Sequence, residues 1–352
     1  MRYINEIFCA APGEVWDNQR LLAEFEPLIE KLPLPEAEMV SLRDFVRFQL
    51  VGERSRRTLL EDWTSIRHFQ TRAEAFERGA ERALEALAEQ IAPAAEAAGV
   101  TFDAVITTTA TGNLMPGLGY RAARRLPGHI RPDSLLFDLA NVGCTGSVKA
   151  LNLARSLDVS FRNILIVAVE VPTTLVDTTG TGRDLWQGNC TFGDGAAAMW
   201  ISADPEQGSS ALALEEIRFW QRADTGLDLI RWAYRDYYSF ALADQKTFDR
   251  DVRDFVTAAL NETEAGWKEE PRWAIHPAGL LLLMKISRKL GIPSEAIQPS
   301  AAHYREYSNM SSASIVHVLK TISETTAPQE AINLLTMGAG FNVLYGRVRR
   351  IR

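Results

Sequence analysis

One arrangement of residues occurs twice in this chain, and few folds accommodate such a repeat. In its first occurrence an apolar strand ends in Thr107-Thr108-Thr109-Ala110-Thr111-Gly112, a helix begins near Cys144, and the glycine turn Phe192-Gly193-Asp194-Gly195 feeds a strand over Ala196 to Ser202. In the second, a strand ends in Trp273-Ala274-Ile275-His276-Pro277-Ala278-Gly279, a helix begins near Asn309, and Met337-Gly338-Ala339-Gly340 feeds a strand over Phe341 to Val348. A repeated strand–helix–turn–strand order predicts two α/β halves related by a pseudo-twofold axis, with strand ends and helix starts from both halves meeting at one centre. The expected division is residues 1–205, carrying Cys144, and 206–352, carrying His276 and Asn309. With 352 residues, 46% of them hydrophobic, the chain can bury the core that two such halves need.

The local pattern supports an α/β layer architecture. Asn163 to Glu170 is an unbroken run of mostly branched apolar residues, as a strand buried on both faces requires, and Phe102 to Thr108 reads as a second. The first hundred residues read as mostly helical, with Ala, Leu and Glu at helical spacing over Asn18 to Lys31 and over Ala73 to Ala98, where Gly99 is a stop signal.

Three residues carry the chemistry. Cys144 follows the apolar run Leu135 to Ala140 and precedes the helical stretch Val148 to Leu157, so its sulfur is expected over the first N–H groups of a helix. A lone cysteine is more often a small buried hydrophobe, and context has to decide between the two. His276 ends an apolar strand, and Pro277 holds it extended and leads the chain into a loop; an imidazole there can accept a thiol proton. His68, His129, His303 and His317 have no comparable setting. Asn309 sits among small polar residues that open a helix, the place of an N-cap, yet its neutral amide could also hold an oxyanion. Phe192 to Ala198 is glycine-rich, but it leads into a strand and has no following Lys-Ser/Thr, so a tight turn accounts for it better than a phosphate cradle.

Other classes of function are disfavoured. Three cysteines (Cys9, Cys144, Cys190) form neither a disulfide framework nor a zinc motif, so no metal and a reducing cytoplasm are expected. The N-terminus has no basic segment followed by an apolar core, and no run approaches the roughly 18 apolar residues of a membrane helix. A net charge of −7 argues against nucleic acid. Arg54, Arg56 and Arg57 form a local cluster suited to a phosphorylated handle, and Arg347, Arg349, Arg350 and Arg352 form another; a solvated surface is the plainer account of either.

The stretches Thr107 to Gly117, Val142-Gly143-Cys144, Phe192 to Ala198, Trp273 to Gly279, Ser308 to Ala313 and Gly338 to Phe341 together resemble the condensing enzymes of the thiolase superfamily, most closely the chalcone synthase-like, or type III, polyketide synthases. The resemblance implies a duplicated α-β-α-β-α fold. It implies an acyl-accepting Cys144, with His276 and Asn309 supporting decarboxylation of an extender thioester and stabilising its enolate. Phe192 and Phe240 match the aromatic gates, while Met115 matches the residue that reaches into a neighbouring subunit's cavity, which implies a homodimer. Thr108, Thr109, Thr174 and Ser311 fall where relatives shape the product cavity. No permanent cofactor is implied; coenzyme A or phosphopantetheine thioesters are substrates.

The departures widen the expectation. Thr336-Met337-Gly338-Ala339-Gly340 stands where the family has Gly-Phe-Gly-Pro-Gly, and Thr145-Gly146-Ser147 follows the nucleophile in place of Phe-Ala-Gly, with Lys149 behind it. These features are similar to the ketoacyl-carrier-protein synthase III branch and to stand-alone ketosynthases that join two carrier-bound chains, often as an α-pyrone. An acyltransferase of the same fold making an ester or amide is a further alternative, as is a non-catalytic partner in a heterodimer, although an enolate-holding Asn309 has little use in the first and an intact set of Cys144, His276 and Asn309 argues against the second. Acyl-coenzyme A and acyl-carrier protein are both expected donors.

Overall fold

A nine-stranded sheet organises the chain, and its strand pairing repeats. The computed structural model describes residues 1–352 apart from 65, 225, 244, 264, 265 and 269, and of 245, 246 and 249 only the backbone. The strands are β1 (Tyr3–Ala10), β2 (Glu14–Asp17), β3 (Ser55–Thr58), β4 (Phe102–Thr109), β5 (Ile130–Ala140), β6 (Asn163–Glu170), β7 (Gly195–Ser202), β8 (Leu212–Gln221), β9 (Ile230–Tyr234), β10 (Tyr238–Leu242), β11 (Trp273–Ile275), β12 (Ala331–Gly338) and β13 (Asn342–Arg350). The helices are α1 (Asn18–Ile29), α2 (Glu36–Gln49), α3 (Phe69–Ala98), α4 (Leu118–Arg125), α5 (Gly146–Ser156), α6 (Arg183–Thr191), α7 (Gly226–Leu229), α8 (Gln245–Asn261), α9 (Leu280–Leu290), α10 (Gln298–Tyr307) and α11 (Ser314–Thr325).

The sheet order is β11-β12-β13-β8-β1-β7-β6-β4-β5. On one side β1 runs antiparallel to β7, β7 antiparallel to β6, and β6 parallel to β4. On the other, β8 runs antiparallel to β13, β13 antiparallel to β12, and β12 parallel to β11. The two sets share only two rungs, Tyr3 with Ala213 and Ile4 with Leu212. The chain crosses between them after Ser202 and before Leu212. Among the described residues β5 has no counterpart in the second set and leaves a free outer edge.

Apolar periodicity explains the layers. Along β6, Ile164, Ile166 and Ala168 pack into one cluster, and Leu165, Val167 and Val169 into another. That period of two, buried on both faces, is why the strand reads as an uninterrupted apolar run. The inner cluster holds Val148 and Leu151 of α5 with Ile315, Val318 and Leu319 of α11, packed against Ile106, Ile166, Leu334 and Leu344 from both halves. An outer layer is formed by Phe76, Leu84 and Leu87 of α3, and the opposite one by Val252 and Val256 of α8 with Leu283 and Ile286 of α9. The result is the duplicated α-β-α-β-α fold.

Two local expectations are sharpened or corrected. α3 ends at Gly99, whose φ of 65° is the left-handed conformation of a helix stop, but it starts earlier than Ala73. The first hundred residues are mostly helical, as expected, but also contain β1, a central strand with two neighbours. Its polar interruptions mask the strand pattern. Asn5 is fully buried because its amide donates to the carbonyls of Asp204 and Gln207 (both 2.7 Å) and its Oδ1 accepts from Ser202 Oγ (2.9 Å). Those partners lie about 200 residues away in sequence, beyond the reach of any local pattern.

Among the described residues, no helix is long and apolar enough to cross a membrane, and no group of three or more His, Cys, Asp or Glu is arranged to hold a metal ion.

Candidate active site

Cys144 lies on a sharp turn between β5 and α5. Asn141 and Gly143 adopt positive φ (59° and 63°), then one 3-10 turn over Gly143–Thr145 runs straight into α5. Gly143 meets two demands at once, since a Cβ there would lie 2.9 Å from the Ala339 nitrogen. The turn of the first half is thus pressed against the Gly338–Gly340 loop of the second. Thr336 Oγ1 donates to the Cys144 carbonyl at 3.2 Å. Ser147 Oγ donates to the Ser312 carbonyl, so the residues that depart from Phe-Ala-Gly tie α5 to the opposite half.

His276 arrives from that half at the end of β11. Its N–H donates to the Leu335 carbonyl at 2.8 Å, one residue from the Thr336 that holds Cys144. Asn309 is fixed through backbone: its N–H donates to Thr191 O and its carbonyl accepts from Gly193 N–H, both at 3.1 Å, making a parallel bridge between Phe192 and Asn309. It is not the cap of α11, which starts five residues later. Instead Asn309 Oδ1 accepts from Ser311 N–H (2.8 Å), turning the chain so that its Nδ2 is left for the cavity. The Phe192 to Ala198 turn serves this approach. A Cβ on Gly195 would meet Met310 Sδ at 2.1 Å, and Met310 is fully buried. Gly195→Ala is therefore expected to cost about 1–3 kcal/mol through overpacking, and to displace Asn309 with Met310; denaturant melts check the first effect, and a changed rate of iodoacetamide alkylation at Cys144, which Asn309 hydrogen-bonds, checks the second.

Burial dominates the electrostatics. It pushes the Cys144 thiol up to about 12, opposed by hydrogen bonds from Ser311 and Asn309. It pushes His276 down to about 3. His276 is 1% exposed and neither ring nitrogen has a hydrogen-bond partner among the described residues. An unsatisfied buried imidazole is costly and marks a group kept free for another partner. Both shifts favour the neutral form of the group. Glu170, which the sequence shows only as the polar end of β6, is fully buried. Burial raises its pKa, and it accepts from Ala110 N–H (3.0 Å), Thr111 Oγ1 (3.0 Å), Ser312 N–H (3.2 Å) and Ser312 Oγ. One carboxyl thereby binds the loop after β4 to the loop after Asn309.

A cavity of about 650 Å³ opens over these residues, within the range of small-molecule sites. Cys144, Asn309, Ser311, Phe192 and Phe240 line it. The Phe192 and Phe240 rings meet edge to face at 5.2 Å, with Phe240 supplied by the β9–β10 hairpin. His276 is not among the residues that line it, while Ala278 of the same loop is. Trp232 and Tyr238 of the hairpin, stacked at 4.2 Å, add an aromatic wall that no motif announced.

Other expected site residues lie elsewhere. Thr108, Thr109 and Thr174 are buried and line no part of the cavity: Thr108 packs under Gly146, Thr109 bonds Thr111 (3.2 Å), and Thr174 donates to Val171 O (2.8 Å). Thr111 takes the cavity position instead. Met115 is 95% exposed and away from its own cavity. The expectation that Arg54 and Arg56 hold a thioester handle is corrected. Both are buried and donate to carbonyls at the C-terminal end of α6, Arg54 to Cys190 (2.7 Å), Arg56 to Asn189 (2.8 Å) and Cys190 (2.7 Å). These are the unpaired carbonyls of a helix terminus, which cations satisfy. Arg57 stacks on Tyr307 and faces Glu306 at 3.8 Å, also off the cavity.

Residues 137–216 match the family model of 3-oxoacyl-[acyl-carrier-protein] synthase III, and residues 243–346 match that of chalcone and stilbene synthases, C-terminal domain. Over its whole length the chain superposes on 1,3,6,8-tetrahydroxynaphthalene synthase from Streptomyces coelicolor A3(2), a bacterial type III polyketide synthase, with a TM-score of 0.86 at 20% identity, covering 100% of both chains. The C-terminal type III polyketide synthase domain of Steely1 from Dictyostelium gives 0.84 at 19% identity, covering 100% of this chain and 99% of that one. The fungal type III polyketide synthase ORAS gives 0.81 at 17%, covering 99% of each. The chain thus has the fold of the type III polyketide synthases, and two of its segments match family models, one of 3-oxoacyl-[acyl-carrier-protein] synthase III and one of the C-terminal domain of chalcone and stilbene synthases.

Proposed function

We propose that the protein is a β-ketoacyl condensing enzyme of polyketide biosynthesis that loads an acyl group on Cys144 and extends it by decarboxylative Claisen condensation. The observation that carries this reading is the convergence of the Cys144 thiol with the Asn309 amide and Ser311 hydroxyl on one cavity, backed by an imidazole with both nitrogens unpartnered. His276 takes the thiol proton as Cys144 attacks the incoming thioester and passes it to the handle's sulfur as the donor C–S bond breaks and the free thiol leaves, so that one hard acyl transfer is split into two easier steps. A malonyl or β-ketoacyl thioester then enters and loses CO2. The charge left behind is delocalised onto the thioester oxygen, which His276 and Asn309 hold as hydrogen-bond donors. The enolate carbon attacks the acyl-Cys144 carbonyl, the C–S bond breaks, and the thiolate returns. Ring closure, including to a pyrone, follows from the poly-β-keto product.

Incubation with acyl-coenzyme A and acyl-carrier thioesters, read by intact mass, tests the first step, and CO2 release from a malonyl thioester tests the second. Modification that survives in Cys144→Ala overturns the reading. The 3-oxoacyl-carrier-protein synthase III match over 137–216 favours a second reading, in which one or both chains arrive on a carrier protein; the two assays separate it, because either loading or CO2 release then requires the carrier thioester rather than the coenzyme A one.

We further propose a homodimer. β5 presents an unpaired edge with Leu135 exposed, and Met115 and Tyr120 stand exposed beside it on the loop and helix that follow β4. An open edge with apolar side chains is a template for pairing. Light scattering is expected to give twice 39.2 kDa, and Met115→Asp to shift the particle toward the single-chain mass.

A further inference from the structure

Two buried histidines have no part in the chemistry above. His303 of α10 and His317 of α11 meet edge to face with ring centres 5.4 Å apart, and Tyr307 packs against them at 5.2 and 5.7 Å. His317 Nε2 donates to the Ala196 carbonyl at 2.9 Å, which ties α11 to β7. His303 reaches toward the site instead. Its Nε2 lies 3.1 Å from Ser314 Oγ, and the same oxygen accepts from the Met310 N–H at 2.8 Å. Ser314 is fully buried, and among the described residues its hydroxyl has no other partner, so its proton goes to Nε2 while a lone pair takes Met310. Burial, with His317 and His276 nearby, holds the His303 imidazole well below its ordinary pKa, and a neutral ring is what an accepting nitrogen requires.

The Met310 N–H belongs to the peptide that joins Asn309 to Met310. The carbonyl of that same peptide accepts from Gly193 N–H at 3.1 Å. One peptide plane is therefore gripped at both ends, by the turn after α6 on one side and by Ser314 with His303 on the other. The turn needs the grip because its backbone is strained on either side of Asn309. Ser308 has φ 61° and ψ −154°, a combination essentially confined to glycine, and Ser311 has φ 46°. Such conformations persist only where surrounding contacts over-determine them. We propose that His303 is a positioning residue for condensation: it fixes the Ser314 hydroxyl, which orients the Asn309–Met310 peptide and so aims the Asn309 amide at the enolate oxygen. This rests on the condensing reading above. Loading of Cys144 does not use that aim, so the two half-reactions respond differently to its loss.

The experiment measures loading and condensation separately, in single turnovers, for wild type, His303→Phe, His303→Gln and Ser314→Ala. His303→Phe keeps a ring against Tyr307 and His317 but has no nitrogen, whereas His303→Gln returns an acceptor to the Ser314 hydroxyl. Condensation is expected to fall roughly 10- to 100-fold in His303→Phe and Ser314→Ala, the upper figure being that of a displacement of about 1 Å, while loading stays at the wild-type rate. His303→Gln keeps most of the condensation rate. In an Asn309→Ala background His303→Phe costs nothing more, because the group it positions is gone. Equal losses in both half-reactions, a full further loss in the Asn309→Ala background, or a loss that His303→Gln shares in full overturns the proposal. Should His303→Phe fail to fold, Ser314→Ala carries the same comparisons. A second measurement needs no substrate: hydrogen–deuterium exchange of residues 308–313, read by mass spectrometry, is expected to quicken roughly 2- to 12-fold in His303→Phe and Ser314→Ala, the factor for one lost neutral hydrogen bond, and not in His303→Gln. Unchanged exchange in both of the first two variants overturns the proposal. Wild type that loads but releases no CO2 from a malonyl thioester counts against the condensing reading, and the exchange measurement still decides whether His303 holds the Asn309 turn.

Discussion

Asn309→Ala is expected to abolish most condensation while leaving acyl loading nearly intact. Loading needs a nucleophile and a proton acceptor, whereas extension needs a donor aimed at an oxyanion that exists only after CO2 has left. Loss of one such donor costs about 2.7–4 kcal/mol, or 100- to 1,000-fold. The amide suits this because it is positioned without being consumed: its Oδ1 accepts from Ser311 N–H and its backbone is bridged to Phe192, so Nδ2 is held from both sides. Single-turnover measurements of the two half-reactions give the check. Equal losses in both would remove the proposed enolate-holding role. Asn309→Asp is expected to be at least as damaging for condensation, since a carboxylate repels the developing charge.

His276→Ala is expected to impair both half-reactions, loading by about 100- to 10,000-fold, the range associated with removal of a general base. The pH dependence follows from the two shifts. Burial raises the thiol to about 12 and lowers the imidazole to about 3, so near neutrality the resting pair carries neither a thiolate nor an imidazolium. Below its pKa a thiol gains tenfold in thiolate per pH unit. Iodoacetamide alkylation of Cys144 in the free wild-type enzyme is therefore expected to climb steadily from pH 7 to 9, with no plateau near neutrality. A plateau would mean a preformed thiolate–imidazolium pair. Substrate-driven loading should depend on pH more weakly than alkylation, because proton transfer to His276 accompanies attack rather than preceding it.

Much of the fold was legible because buried strands and helices write their period into the chain. β6 begins at Asn163 and ends at Glu170 as the apolar run predicts, and β7, β13 and α5 lie within a residue or two of their expected starts. The order repeated in the two halves reappears as strand pairing repeated in the sheet. β1 was not legible, because Asn5 and Glu6 interrupt its pattern and Asn5 is satisfied by the distant Ser202, Asp204 and Gln207. Thr108 was offered for the cavity and Thr111 was not, because a strand end does not reveal which of several threonines turns outward.

Residue type and order, by themselves, determined an α/β duplicated chain with a thiol at a helix start, a histidine at a strand end and an asparagine in a turn. Those are local properties, dictated by side-chain period, by Pro277 and by glycine. Only the tertiary structure decided what surrounds them. It sent Arg54 and Arg56 to the carbonyl end of α6, since a helix terminus leaves acceptors that a buried guanidinium can satisfy. It set Glu170 to bind loops from both halves. Charge and burial are properties of the neighbourhood, and the neighbours of each of these residues are more than a hundred positions away or on strands whose register the local sequence does not specify.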